Sequence, residues 1–297
     1  MRRWWQDLTD LVLPTDCAGC GAPRTVLCAR CRTALHGSVP RRVRPEPEPA
    51  WLPVVHAAAP YAADVRAALL AHKERGALAL VGALGTALAG AVRAGLGGGV
   101  PDARPVLLVP VPSARRAVRA RGHDPVRRMA LAAAGELRRG GTPARVVGVL
   151  RQRRAVADQA ELDARRRLEN LAGALEVTAG GARLLAAGRV VLVDDLITTG
   201  ATLAEAARAV REALGRSGVI PPGEGGTGGN SGGSGMNTVV YAAVTREGRG
   251  ERRIGVRTER GKWVQAAPEK AVVNVLRTDL RAAVIAAPRD SFEINRN

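Results

Sequence analysis

Two adjacent carboxylates, Asp194 and Asp195, stand between an apolar run and a threonine-rich turn. Residues 190–193 are four consecutive aliphatic side chains, the pattern of a strand covered on both faces of a parallel sheet. Residues 198–202, Thr-Thr-Gly-Ala-Thr, precede a helical pattern over 203–214, so they predict a helix N-terminus with unpaired N–H groups. Carboxylates that accept from hydroxyls, beside a turn that binds phosphate, indicate a phosphorylated sugar. A hard divalent cation such as Mg²⁺ would offset the charge.

The elements that position these groups indicate an α/β fold. The acidic pair must lie at the carboxyl end of its strand, which is where open parallel sheets bind ligands. A second apolar run, 106–112, is predicted to be another strand, and it leads into Ser113-Ala114-Arg115-Arg116. A final buried strand is expected at 282–287. The prediction is a Rossmann-like parallel sheet.

The run 190–202 resembles the 5-phosphoribosyl-1-pyrophosphate (PRPP) motif of the type I phosphoribosyltransferases. The resemblance implies that Asp194 and Asp195 are the catalytic pair and hold the ribose hydroxyls. It implies that the 5′-phosphate lies on the turn formed by Thr198, Thr199, Gly200, Ala201 and Thr202. The alternative is a buried strand that ends in a helix-capping turn and binds nothing.

The turn after the 106–112 strand corresponds to the pyrophosphate loop of the resembled family. There Ser113, Ala114 and Arg115 would meet the leaving diphosphate, and the alternative is an ordinary strand end followed by a solvated basic helix. Members of the resembled family continue into Arg-Gly-Phe-Asn-Gln, whereas this chain has Arg121-Gly122 and then His123-Asp124-Pro125. His123 could transfer a proton, but a lone histidine in a loop is expected to be exposed.

The four cysteines of the chain form two Cys-x-x-Cys pairs, Cys17 with Cys20 and Cys28 with Cys31. Four thiolates at this spacing predict a closed, structural tetrahedral zinc site. Two local disulfides or a redox pair are the alternatives, and His36 is a nearby residue that could compete as a ligand.

A helix pattern after the cysteines narrows the resemblance to the ComF family, which includes ComFC and GntX-like proteins. Members carry a four-cysteine zinc module, a Tyr-x-x-x-apolar-Arg helix that ends in Lys-x-x-Gly, and a phosphoribosyltransferase domain. The matching residues are Tyr61, Val65, Arg66, Lys73 and Gly76. The resemblance places Lys73 in the PRPP site. An ordinary amphipathic helix is the alternative.

The segment 150–175 also resembles the ComF branch and corresponds to a mobile lid in type I enzymes. A lid would exclude water from the reactive sugar cation. Gln159, Arg166 and Asn170 are its candidate residues. The alternative is a solvated surface helix.

The composition of the chain bears on its partners and its location. The chain has 297 residues, a formal net charge of +18 and 2% aromatic residues. The charge favours binding of polyanions such as nucleic acid, or it reflects a GC-rich coding sequence with arginines spread over solvated helix faces. No unbroken apolar run of about 18 residues occurs, so no membrane span is expected. No secretory signal is evident at the N-terminus, so a cytoplasmic protein is expected.

The expected organisation has six parts. They are a zinc-ribbon region (1–38), an extended, largely unpacked proline-rich linker (39–53), a phosphoribosyltransferase-like domain (54–218), a flexible Gly/Ser-rich segment (219–235), a small β-rich insertion or extension (236–275) and a returning strand with the tail (276–297).

Two functions follow from the resemblance. The first is a Mg²⁺-dependent enzyme that transfers, or once transferred, ribose 5-phosphate from PRPP. The second is a non-catalytic accessory protein of competence and DNA uptake that binds single-stranded DNA or a helicase partner. No residue identifies the acceptor, and the oligomeric state, a dimer included, is open.

Overall fold

The computed structural model describes residues 16–97, 104–154, 164–216, 255–257, 263–265 and 280–293. The chain divides into two compact units, Met1–Pro221 with Asp279–Asn297, and Pro222–Thr278. In the second unit the described residues form an antiparallel pair of short strands. Gln159 and the predicted Gly/Ser-rich segment lie outside the described residues.

The described part of the first unit contains both helices and strands. The helices are α1 (Ala29–His36), α2 (Ala63–Glu74), α3 (Val81–Leu96), α4 (Arg115–Arg121), α5 (Pro125–Arg139), α6 (Ala164–Leu171), α7 (Gly181–Leu185) and α8 (Ala201–Arg216). The strands are β1 (Arg41–Val43), β2 (Val54–Pro60), β3 (Val106–Pro110), β4 (Ala144–Val146), β5 (Leu150–Gln152), β6 (Leu175–Val177), β7 (Arg189–Leu196) and, after β8 (Gly255–Arg257) and β9 (Trp263–Gln265) of the second unit, β10 (Arg281–Ala287).

Six strands form one mixed sheet in the order β1-β2-β10-β7-β3-β4. Five neighbouring strands of this sheet run parallel, namely β2, β10, β7, β3 and β4. The remaining strand, β1, pairs antiparallel with β2. The segment expected to supply a final strand forms β10, which lies between β2 and β7 although it comes last in the chain. The architecture is therefore α/β with a mostly parallel sheet.

Helices cover both faces of this sheet, because its central strands are apolar on both sides. Val106 and Leu108 of β3 belong to one hydrophobic cluster together with residues of α2, α3 and α5. Leu107 and Val109 point to the other face and belong to a cluster with residues of α8. This alternation within a fully buried strand is the pattern expected of a covered parallel sheet.

The most apolar helix is a core element of this fold. Leu78–Leu96, which is α3 and the short 3₁₀ turn before it, is long and apolar enough to cross a membrane by length and composition alone. Half of it is buried, and it packs against α5, β2 and β10. Gly85 allows a close approach to α5, since a Cβ there would lie 2.4 Å from the Cβ of Ala132.

The prediction of a largely unpacked linker over 39–53 is wrong. Residues 41–43 form β1 on the sheet edge, and Val43 and Leu52 are buried in the cluster that contains α8. Arg211 of α8 donates from Nη1 to the carbonyl of Trp51 at 2.6 Å. Apolar residues scattered between the prolines therefore anchor this segment, and the main sheet begins at residue 41.

The cysteine region is not a separate module either. Cys17, Leu27, Cys31 and Leu35 lie in the same hydrophobic cluster as residues of α2, α3 and the sheet. Arg30 pairs with Asp64 at 3.3 Å, and His36 Nε2 lies 2.7 Å from the carbonyl oxygen of Ala83. His36 therefore has a structural partner in α3.

Candidate functional site

The candidate site lies where two neighbouring strands send their connections in opposite directions. β3 continues through α4 and α5 to β4 on one side, whereas β7 continues through α8 toward β10 on the other. Such a switch point leaves a crevice at the carboxyl edge of a parallel sheet, and ligands bind there. The acidic pair ends β7 at this edge. Pro110 of β3 is in register with Val193, so residues 112–114 follow at the same edge.

Asp194 and Asp195 differ in their surroundings. Asp195 is buried and accepts a hydrogen bond from Lys73 Nζ at 2.7 Å. Asp194 is half-buried, and its Oδ1 accepts from the backbone N–H of Asp195 at 2.8 Å. The structure therefore brings Lys73, at the end of α2, to the acidic pair across 122 positions of sequence.

Burial raises the pKa of Asp194 well above its ordinary value of 3.8, and the adjacent Asp195 carboxylate raises that pKa further. For Lys73, burial lowers the pKa, but the charge of Asp195 and its hydrogen bond outweigh burial and raise the pKa overall. The pair thus holds one carboxylate neutralised by a cation. Asp194 has no such cationic partner among the residues that the structure describes, and it is the carboxyl group that a divalent cation or a sugar hydroxyl would satisfy.

The threonine turn forms a groove at the start of α8. Asp194 and residues 196–203 line a small cavity of about 30 Å³. Gly200 has a φ of +74°, and its carbonyl accepts the N–H of Ala204 at 2.9 Å as α8 begins. Thr198 is exposed and Thr199 is half-buried. The first turn of a 16-residue helix at this groove provides N–H donors and a favourable dipole for an anion.

Gly200 also contacts the segment that was expected to be a linker. A Cβ at this position would lie 3.2 Å from Leu52 Cδ1 and Cδ2 and 3.3 Å from Pro45 Cγ. The proline-rich segment therefore supports the turn from behind. Sequence reasoning did not identify Leu52 as a site-supporting residue, and the apolar Trp51-Leu52 pair among prolines was the available signal.

The predicted diphosphate loop has an ordinary helix start. Ala114 occupies the N-cap position of α4, and Arg115 is its first residue. Ser113 is half-buried and Ala114 is exposed. The N–H of Val111 donates to the carbonyl of Val193 at 3.0 Å, which ties the loop's first residues to β7.

The candidate lid residues belong to an element beside the threonine turn. Arg166 and Asn170 lie on α6, where Arg166 is exposed. Leu171 at the end of this helix forms a small buried cluster with Ala174 and Ala201, the first residue of α8. α6 is therefore anchored next to the groove, and Gln159 is outside the described residues.

The stretch Gly122-His123-Asp124-Pro125 joins α4 to α5. Gly122 has a φ of +72° and ends α4, while the Asp124 carboxylate accepts from the N–H of Arg127 at 3.1 Å as the N-cap of α5. Pro125 takes the first helical position, where no N–H is needed. His123 was expected to be exposed, but only 9% of its surface is accessible. The two caps force the chain inward between them, and the Asp-Pro pair was the signal that sequence reasoning missed.

The four cysteine sulfurs form a second candidate site. All lie within 4.8 Å of one another, and Cys20 Sγ is 3.6 Å from Cys28 Sγ. Tetrahedral zinc with bonds of about 2.3 Å requires sulfurs about 3.8 Å apart, so the cluster fits a metal such as zinc. All four are free thiols, which disfavours the two-disulfide alternative.

Hydrogen bonds prepare this cluster for a cation. Burial raises the pKa of the Cys17 thiol, but backbone N–H groups of Cys28, Cys20 and Gly19 outweigh burial and lower that pKa to about 6. The guanidinium of Arg30 lowers the pKa of Cys20. Burial raises the pKa of Cys31, and a bound metal would favour its thiolate form.

No protein-family model matches the sequence, and no curated protein matches it. The ComF and phosphoribosyltransferase resemblances therefore remain predictions from the motifs.

Proposed function

We propose that the protein binds PRPP with Mg²⁺ at the β3–β7 edge and is a phosphoribosyltransferase of the type I class, related to the ComF family. The observation that carries the proposal is the position of the acidic pair. It ends the strand at the sheet's switch point, beside a helix N-terminus that offers donors for a phosphate.

Each residue then has a role set by its surroundings. The Asp194 and Asp195 carboxylates accept hydrogen bonds from the ribose hydroxyls, and the turn from Thr198 to Thr202 donates to the 5′-phosphate. The loop of Ser113, Ala114 and Arg115 would meet the diphosphate. Lys73 holds the Asp195 carboxylate in place through the 2.7 Å hydrogen bond.

Mg²⁺ fits this donor set, because it takes one or two carboxylates and completes its shell with substrate phosphates and water. Asp194 would be its protein ligand. The ion would spread the negative charge that develops on diphosphate as the anomeric bond breaks. The helix N-terminus and the arginines near the loop stabilise the same charge, and α6 would exclude water.

Thermal unfolding with Mg²⁺ and PRPP tests the proposal. A ligand that binds only the folded state at 100 times its Kd adds about 2.7 kcal/mol to the free energy of unfolding. We expect Tm to rise with Mg²⁺ and PRPP together. We expect no rise in the double variant Asp194→Asn, Asp195→Asn.

A matched control is Glu176→Gln, which removes a carboxylate from β6 that pairs with Arg151. This variant should keep the ligand-induced rise in Tm. If the unaltered protein shows no rise, the site assignment is wrong. If Tm does rise, release of pyrophosphate in the presence of candidate acceptors distinguishes turnover from binding alone.

A further inference from the structure

A second cleft opens beside the candidate site, between the end of α2 and α4. Its volume is about 500 Å³, and its lining residues are Glu74, Arg75, Gly76, Ala117, Ala120, Arg121 and His123. This lining shares no residue with the groove at the threonine turn. The lining residues of the cleft are nevertheless chain neighbours of the candidate site, because Glu74 follows Lys73 and α4 follows the predicted diphosphate loop.

The hydrogen bonding of His123 indicates which group a ligand in the cleft must supply. Nδ1 of His123 lies 3.1 Å from the carbonyl oxygen of Arg121. A carbonyl only accepts, so Nδ1 carries the proton and Nε2 of the neutral ring is a bare acceptor. Nε2 is buried, and it has no hydrogen-bond partner among the residues that the structure describes. A buried acceptor of this kind costs free energy until a donor reaches it.

The imidazole is also held in place. Its ring centroid lies 5.8 Å from that of His72, with the two planes tilted by 55°. His72 is almost fully buried, and its own Nε2 lies 3.4 Å from the carbonyl oxygen of Pro125. The helix caps on both sides fix the backbone of His123, so the ring is preorganised.

The lining of the cleft also carries a cationic and an anionic side chain. Arg121 forms a two-pronged pair with Glu74, with Nε to Oε2 at 3.0 Å and Nη2 to Oε1 at 2.8 Å. Ala117 and Ala120 form an apolar surface between the polar groups. A cleft with an apolar wall and a few convergent polar groups is typical of a small-molecule site.

We propose that this cleft binds a small planar heterocycle whose ring N–H donates to Nε2 of His123. If the proposed function holds, on which this step rests, the heterocycle is the acceptor of the ribose 5-phosphate. Its nitrogen forms a bond to the anomeric carbon, the bond from that carbon to the diphosphate oxygen breaks, and the N–H proton passes to Nε2 of His123. The related motif has phenylalanine at this position, so the role belongs to this chain.

The test follows the histidine nitrogens by ¹⁵N NMR in the full-length protein. The probes are uracil and hypoxanthine, each compared with its fully N-methylated analogue, with and without Mg²⁺ and PRPP. We expect a saturable change at Nε2 of His123 with at least one probe. We expect binding at least tenfold weaker for the methylated analogue.

Two substitutions separate hydrogen bonding from shape. His123→Phe keeps a ring against His72 but lacks the acceptor, so binding should fall at least tenfold. His123→Gln places an amide oxygen near the position of Nε2, so binding should stay within threefold. His36→Gln is the control, because the His36 side chain contacts the carbonyl of Ala83 and does not line the cleft. This variant should bind the probes normally.

Three results would overturn the cleft assignment: no change at His123 with either probe, unchanged affinity in His123→Phe, or a response to inorganic pyrophosphate in place of the heterocycles. The PRPP-induced rise in Tm, measured on the same samples, separates the two proposals. If PRPP binds while both probes fail, the cleft proposal is wrong and the proposed function stands. If a probe binds while PRPP fails, the cleft stands and the proposed function is wrong.

Discussion

Asp194 and Asp195 are neighbours with opposite effects on stability. Asp195 has the Lys73 ammonium at 2.7 Å, whereas the pKa of Asp194 is raised by burial and by the second carboxylate. Between its ordinary pKa of 3.8 and its raised pKa, the folded state binds more protons at Asp194 than the unfolded state does. Stability at this group therefore falls as pH rises through that interval.

Asp194→Asn removes the carboxyl group whose ionisation destabilises the folded state, so this variant should have a higher Tm. The gain should be absent near pH 3 and should grow as pH increases, with each kcal/mol worth roughly 2–4 °C in a domain of this size. Asp195→Asn should lower Tm instead, because Lys73 loses its partner. Thermal unfolding of both variants from pH 3 to 8 checks the prediction, and equal shifts in the two variants would contradict it.

Gly200→Ala should destabilise the protein and weaken PRPP binding. The φ of +74° costs a non-glycine residue about 1–2 kcal/mol. The new methyl group would also press on Leu52 and Pro45. Gly180→Ala is the matched control, since Gly180 has a φ of +75° with nothing within 4 Å of a Cβ. Urea unfolding should show a larger loss for Gly200→Ala, and equal losses would argue against support from the proline-rich segment.

At the scale of elements, the contact between α3 and α5 depends on one glycine. Alanine is favoured over glycine by about 1 kcal/mol within a helix. Gly82→Ala should therefore stabilise the protein, because nothing lies within 4 Å of a Cβ added at this position. Gly85→Ala should destabilise it by roughly 1–3 kcal/mol, because the methyl group would overlap Ala132. Urea unfolding of both variants measures the difference, and stabilisation by Gly85→Ala would show that the helices can separate freely.

The elements also show how far sequence reasoning reaches. The aliphatic run of β7 and the turn before α8 were predictable because local patterns specify them. The packing of Leu52 behind Gly200 and the burial of His123 were not, since they depend on residues far apart in the chain. The central place of β10 likewise follows from sheet topology, which periodicity does not encode.

At the scale of the whole molecule, the cysteine cluster is part of the main hydrophobic core. Cys17 and Cys31 are buried with residues of α2, α3 and the sheet. A metal that binds only the folded cluster adds its binding free energy to the stability of everything that unfolds with it. Metal loading should thus stabilise the α/β unit that carries the acidic pair, although the two sites share no residue.

We therefore expect metal removal and Cys31→Ser to lower the Tm of the entire first unit in one cooperative transition. Far-UV circular dichroism reports the helices and sheet, and one equivalent of zinc added back to the reduced, metal-free protein should restore the transition. Thr33→Ser, on the same helix but without a thiolate, should keep both the metal and the Tm. A separate low-temperature transition of the cysteine region, with the sheet's Tm unchanged, would show that the cluster unfolds on its own. If the whole unit unfolds in a single transition, metal-free protein near its lowered Tm is unfolded at the sheet edge as well. PRPP binding should therefore be lost under those conditions.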